Sequence, residues 1–196
     1  MKHHKNSLIG KIFIAIGFSL LVLSVFTALI WQWRIHAVTQ QATAYANELQ
    51  RLIPEPQSAV PEERRDNTMP VLSLDQTDFI GLLEMPMYHS VLPVCAAWNK
   101  PSKYPCRLSG SVYDGTLQIG ATSQRGQFDF YRDISVGDSL FFTDVEGNRY
   151  PYSVIDIRYE KHANQEALQR TDAALTLFIK NIYGFDYIIL SCDTPS

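Results

Sequence analysis

The sequence predicts a mostly β fold: a closed or nearly closed β-barrel, with short helices on crossovers, set after an N-terminal transmembrane helix. Two observations carry this. From Pro70 onward the chain is a succession of short β-rich runs separated by turn residues, with only small helical pieces between them. Ahead of them lies one long uncharged apolar run, and a proline- and charge-rich stretch parts the two. Composition agrees, because 46% hydrophobic and 19% charged residues exclude a disordered or collagen-like chain. A length of 196 residues suits one compact domain better than two.

The apolar run reads IFIAIGFSLLVLSVFTALIW from Ile12 to Trp31 and carries no charge. About 20 residues at 1.5 Å rise cross a hydrocarbon core of about 30 Å. Trp31 and Trp33 stand where an aromatic belt belongs, so the span is set at 12–33. Lys2, Lys5 and Lys11 precede it and Arg34 follows it, which predicts a cytoplasmic N-terminus (1–11) and everything after Arg34 outside. A cleaved signal peptide is the alternative. The run is longer than a usual signal core, and no small-x-small site follows, so an uncleaved anchor is expected.

Residues 34–69 read as a helix and then a spacer. Alanines, glutamines and spaced leucines continue a helix over 35–53, and Pro54 and Pro56 end it. PEPQSAVPEERRDNTM (54–69) has almost nothing to bury and is expected to be extended and exposed. The outer domain, 70–196, opens with a strand from Phe79 to Pro86 and a second at Leu92–Val94. A third, Thr116 to Ala121, follows the Asp114-Gly115 turn. Leu140–Thr143 and Tyr150–Ile157 form a hairpin about Glu146-Gly147-Asn148. Ala163–Arg170 reads as a crossover helix, and Leu175–Ile179 and Tyr187–Leu190 are the last two strands.

Charge limits the partners. The first 34 residues hold four basic side chains and no carboxylate, leaving 13 basic against 20 acidic in the remainder. So acidic a domain has no broad basic face for phosphates, and nucleic acid is not an expected partner. The cysteine spacings match no zinc site, and no metal or cofactor is expected.

Read in order, several segments resemble the sortases, membrane-anchored cysteine transpeptidases of Gram-positive cell surfaces. FIGLLEMPMYHSVLPV (79–94) is similar to the opening G-x-L-x-I-P strand and the L-P-V strand after it. LQIGATSQRGQFDFYRDISVGD (117–138) resembles L-x-I-A-G-H-N followed by F-x-x-L-x-x-L-x-x-G-D. SLFFTDVEGNRYPYSVIDI (139–157) resembles the hairpin that follows in sortases, and LTLFIK (175–180) falls where T-L-x-T-C belongs. The resemblance implies a sortase-like closed β-barrel of about eight strands over 70–196. It also implies a thiolate that attacks the threonyl carbonyl of a sorting signal, a histidine for the leaving amine and an arginine at the oxyanion.

Carried over residue by residue, the family's histidine falls on Thr122, its cysteine on Lys180 and its arginine near Tyr187. The resemblance therefore implies a degenerate, non-catalytic sortase whose groove, at Thr122, Arg125 and Lys180, binds a surface-protein or pilin segment or a partner sortase. Two alternatives stand beside it. One is an active transpeptidase using Cys192 with His89 or His162; the other is an extracytoplasmic sensing or scaffolding domain with its groove filled. A Cys106–Cys192 disulfide is the pairing that some sortase-like proteins suggest, with Cys95–Cys106 as its competitor.

Overall fold

The computed structural model describes residues 3–55, 57–58, 68–98, 103–161, 172–182, 184 and 186–195. The chain divides into two units, Met1–Val38 and Thr39–Ser196. The first lies on helix α1 (His3–Leu52), whose segment Phe13–Trp33 is long and apolar enough to cross a membrane. The second unit holds the later turns of α1 and a sheet of ten strands. These are β1 (Gln57–Ser58), β2 (Leu72–Leu74), β3 (Thr77–Met85), β4 (Ser90–Cys95) and β5 (Cys106–Ser109). They continue as β6 (Leu117–Thr122), β7 (Ser139–Asp144), β8 (Asn148–Glu160), β9 (Leu175–Lys180) and β10 (Tyr187–Asp193).

Eight of the strands close a barrel. The order runs β8-β10-β9-β6-β5-β4-β3, and β7 pairs with both β3 and β8 to complete the ring. Closure needs long strands that serve two neighbours. The first half of β8 pairs with β7 and its second half with β10. β3 pairs with β4 along one edge and β7 along the other. The bend in β3 falls at a register shift between Phe79 and Gly81, where Gly81 has φ +155°. Strand alternation builds the interior: Leu117, Ile119 and Ala121 of β6 point inward with Leu175, Leu177 and Ile179 of β9 and Ile188, Leu190 and Cys192 of β10. Phe128, Leu140 and Phe142 fill the rest. Side chains fill the described interior, which leaves the ends and the outer wall as the places for binding.

That wall carries a second cluster. Ala42, Ala46, Leu49 and Ile53 recur every three or four residues and pack on Phe79, Leu82, Cys95, Tyr104 and Cys106. The two alanines allow close approach, and Tyr45 meets the rings of Phe79 and Tyr104, both at 5.6 Å. Here the structure differs from the sequence expectation. The compact unit starts at Thr39 rather than at residue 70, because the end of α1 is a docked helix with a buried stripe. The expected spacer is partly built in as well: Gln57–Ser58 pairs in parallel with Asn148–Arg149, and Met69 is buried in the core. The expected helix Ala163–Arg170 lies outside the described residues.

Several buried and half-buried phenols give the barrel an alkaline limit. Burial is the first cause that raises Tyr88 and Tyr104 to about 12, and it raises Tyr150 and Tyr152 further. The unfolded phenol titrates near about 10, so the folded state binds protons that the unfolded state releases above that pH. Stability from these groups is complete below the unfolded value and is lost as pH climbs through the folded one. The melting temperature is expected to fall between about pH 10 and about pH 12, followed by circular dichroism with tyrosinate absorbance read in parallel. Tyrosinate forming at about pH 10 with no loss of melting temperature would contradict the assignment.

Candidate functional site

One end of the barrel collects three of the residues singled out by the sequence. Parallel pairing of β6 with β9 sets Thr122 beside Lys180, and antiparallel pairing of β9 with β10 sets Tyr187 beside Lys180. Tyr187 in turn pairs with Glu160 of β8, so four strands contribute one row. Thr122 and Tyr187 are half-buried and Lys180 is exposed. The loops leaving this row are tied together. The Ser123 amide donates to the Lys180 carbonyl at 2.9 Å, and the Ile182 amide donates to Ser123 Oγ at 3.0 Å. Asn181 Nδ2 donates to the Asp186 carboxylate at 3.0 Å, which closes the β9–β10 loop.

The loop after β6 folds back on its own strand. Gln127 Oε1 accepts the Thr122 amide at 2.8 Å, and the Phe128 amide donates to the Thr122 carbonyl at 3.2 Å. Thr122 Oγ1 and Gln127 Nε2 are buried without a protein partner. Beside them opens a cavity of about 400 Å³ between this loop, the β3–β4 turn and the later turns of α1. Arg125, Gln127 and Asp129 line it with His89 and the rings of Tyr88 and Phe130, which stack at 4.6 Å. Tyr88 is held in place by its hydroxyl, which donates to the Asp133 carbonyl at 2.8 Å and meets the Asp138 carboxylate. His89 ends the 3-10 turn Pro86–Tyr88 in the left-handed conformation, φ 49°, and is exposed.

The structure therefore brings Arg125 and His89 to one cavity, with Thr122 one hydrogen bond behind its wall. Thr122 and Lys180 share the row but are not in the cavity lining. Sequence reasoning missed Gln127, Asp129, Tyr88 and Phe130. Nothing in their spacing marks them, since they meet only when two loops close on one helix. An exposed guanidinium and an adjacent stacked aromatic pair can hold a carboxylate or peptide carbonyl over an apolar surface. Among the described residues no group of three or more His, Cys, Asp or Glu side chains is placed to hold a metal ion.

The cysteines lie elsewhere. Cys192 is buried in the barrel interior and pairs with Leu175, the first residue of β9, whereas Lys180 is its last. Five residues of strand, roughly 17 Å, separate that level from the Thr122 row, and His89 lines the cavity beside that row. Cys192 and His89 are thus not brought together, and His162 lies outside the described residues. Burial, and then the charge of Asp193, push the Cys192 thiol up, which disfavours the nucleophilic thiolate. The expected Cys106–Cys192 bridge is not made. β6 and β9 stand between β5 and β10, and three strand spacings of about 4.8 Å exceed the reach of a disulfide. In the folded chain Cys192 is expected to resist a thiol-reactive maleimide at pH 8 at least about a hundredfold better than after denaturation, read by intact mass. Equal rates would place it at the surface.

No family model and no curated protein matches the sequence. Solved structures do match the fold. Sortase A from Corynebacterium diphtheriae superposes with a TM-score of 0.54 at 17% identity, over 83% of this chain and 84% of that one. Clostridium perfringens sortase C with the C-terminal cell wall sorting motif gives 0.53 at 13% identity, over 83% and 90%. Sortase C1 from Streptococcus agalactiae gives 0.51 at 20% identity, over 63% and 71%. With its closed eight-strand barrel and these superpositions, the chain has a sortase-like fold.

Proposed function

We propose that this chain is a membrane-anchored, catalytically degenerate sortase-like protein of a Gram-positive cell surface that binds a surface-protein or pilin segment. The observation that carries this reading is an open cavity at the Thr122 end, with Arg125 exposed in it and no cysteine in its lining. The row Thr122–Lys180–Tyr187 supports it. These are the positions at which the resemblance to sortases puts histidine, cysteine and arginine, and they hold a hydroxyl, an ammonium and a phenol instead. A bound segment lies along this end with its carboxylate or a peptide carbonyl on Arg125, and a partner sortase is the other occupant this surface suits. Residues 1–11 are cytoplasmic, 12–33 form the anchor and the barrel lies outside, as the basic flank before the span suggests. A scaffolding domain with a filled groove is less well supported, because the cavity is open.

The test is equilibrium binding of a fluorescent sorting-motif peptide to the full chain in detergent micelles. Wild type and Cys192→Ala are expected to bind equally, and Arg125→Ala about tenfold more weakly, the effect of one charge-assisted hydrogen bond. Absence of binding at millimolar peptide, or binding untouched by Arg125→Ala, would remove the reading. Cleavage of the peptide would replace it with the transpeptidase.

A further inference from the structure

Most junctions around the barrel extend over several paired residues, but β4 and β5 meet at a single pair, Cys95 with Cys106. At this pair the Cys95 amide donates to the Pro105 carbonyl at 2.8 Å. Among the described residues this is the shortest seam of the ring, and both residues that close it are cysteines. Partners on neighbouring strands sit about 4.8 Å apart, within the Cα spacing a disulfide needs. Both side chains belong to the same outer cluster as Leu49 and Phe79. Cys106 Sγ donates to the Tyr104 carbonyl at 3.3 Å. The seam adjoins the candidate site, since Cys106 pairs with Gly120, two residues before Thr122.

We propose that Cys95 and Cys106 form a disulfide by exchange with a disulfide oxidant, stapling the β4–β5 seam. Each thiol loses a proton and the pair loses two electrons as the S–S bond forms. The oxidant's own S–S bond breaks and leaves as two thiols. Buried thiols react slowly, so exchange proceeds while the seam is open, during or before closure of the ring. An exterior location permits such a bond, and it leaves Cys192 as the free thiol of an odd set.

The test begins with the full chain refolded from denaturant into detergent in the presence of oxidised glutathione, then denatured again and alkylated without reductant. One label per chain is expected, on Cys192, with a cross-linked peptide joining Cys95 to Cys106; reduction before alkylation should give three. Three labels without reduction, a glutathione adduct in place of the cross-link, or a cross-link containing Cys192 would overturn the proposal. Reduction is expected to lower the melting temperature by roughly 6–12 °C, as for a closed loop of about a dozen residues in a domain of this size. A Cys95→Ala/Cys106→Ala chain should lose that redox dependence. An unchanged wild-type melting temperature would remove the staple, and the label count decides even where the double variant does not fold.

Discussion

Incubated with a sorting-motif peptide and an amine acceptor, the full chain is expected to return the peptide uncut and to carry no thioacyl adduct by intact mass. Transpeptidation needs a thiolate in reach of the scissile carbonyl, an acid for the leaving amine and a cation at the oxyanion. At the positions where the resemblance to sortases would put these groups, the chain carries Thr122, Lys180 and Tyr187, which pair in one row. A threonine hydroxyl is no acid at neutral pH, and a lysine cannot form the thioester. Loss of one such group removes about two to three orders of magnitude in rate, and groups that act as a unit leave little once one is gone. Cys192 offers no substitute, being buried at the opposite level of β9. Turnover is expected to be indistinguishable from that of Cys192→Ala. Cleavage that disappears in Cys192→Ala would falsify the degenerate reading and move the nucleophile to β10.

Gly81→Val is expected to leave no folded barrel. A Cβ at Gly81 would stand 2.1 Å from the Thr143 carbonyl oxygen and 3.0 Å from Asp144 Cα, at a φ of +155° that a β-branched residue resists. Neither obstacle can swing aside, because both are backbone of β7 and Gly81 is paired there and with Val94 at once. Nor can β7 retreat. Buried Asp144 holds the β7–β8 hairpin by accepting the amides of Glu146 and Asn148, each at 2.9 Å. The cost should exceed about 4 kcal/mol, a large part of the about 5–15 kcal/mol that holds a typical domain. Gly115→Ala is the control, since Gly115 has φ +67° but open space around its Cβ position, and about 1 kcal/mol is expected there. Urea melts followed by circular dichroism compare the two. A Gly81→Val chain that melts within about 1 kcal/mol of wild type would show that the bend in β3 has been misread.

The strands that were legible in the sequence are those whose period-2 pattern is unbroken. Leu117, Ile119 and Ala121 alternate, as do Leu175, Leu177 and Ile179, and each set faces the interior. Leu72–Leu74 and Cys106–Ser109 were missed because short, half-exposed strands carry too few apolar residues to show a period. The docking of α1 was illegible for another reason. Ala42, Ala46 and Leu49 declare a helix face, but nothing local says that the partner is the outer wall of a barrel. The candidate site divides in the same way. The row Thr122–Lys180–Tyr187 could be placed because motifs along three strands resemble one family, whereas the cavity depends on contacts among segments far apart in sequence. The Cys106–Cys192 pairing failed because sequence order does not reveal how many strands intervene around a ring.

The position of β10 has a kinetic consequence. β10 enters between β8 and β9 and is hydrogen-bonded along both edges. Until Tyr187–Asp193 is in place, β8 and β9 each present an open edge, so no chain segment before it can close the ring. The parallel β6–β9 pair also waits on a crossover that includes β7 and β8. Native contacts of such long sequence separation make closure slow, on the order of milliseconds to seconds, and leave two unpaired edges exposed throughout. The barrel is thus most open to strand exchange and aggregation before it closes, and a chaperone would be most useful to it in that interval.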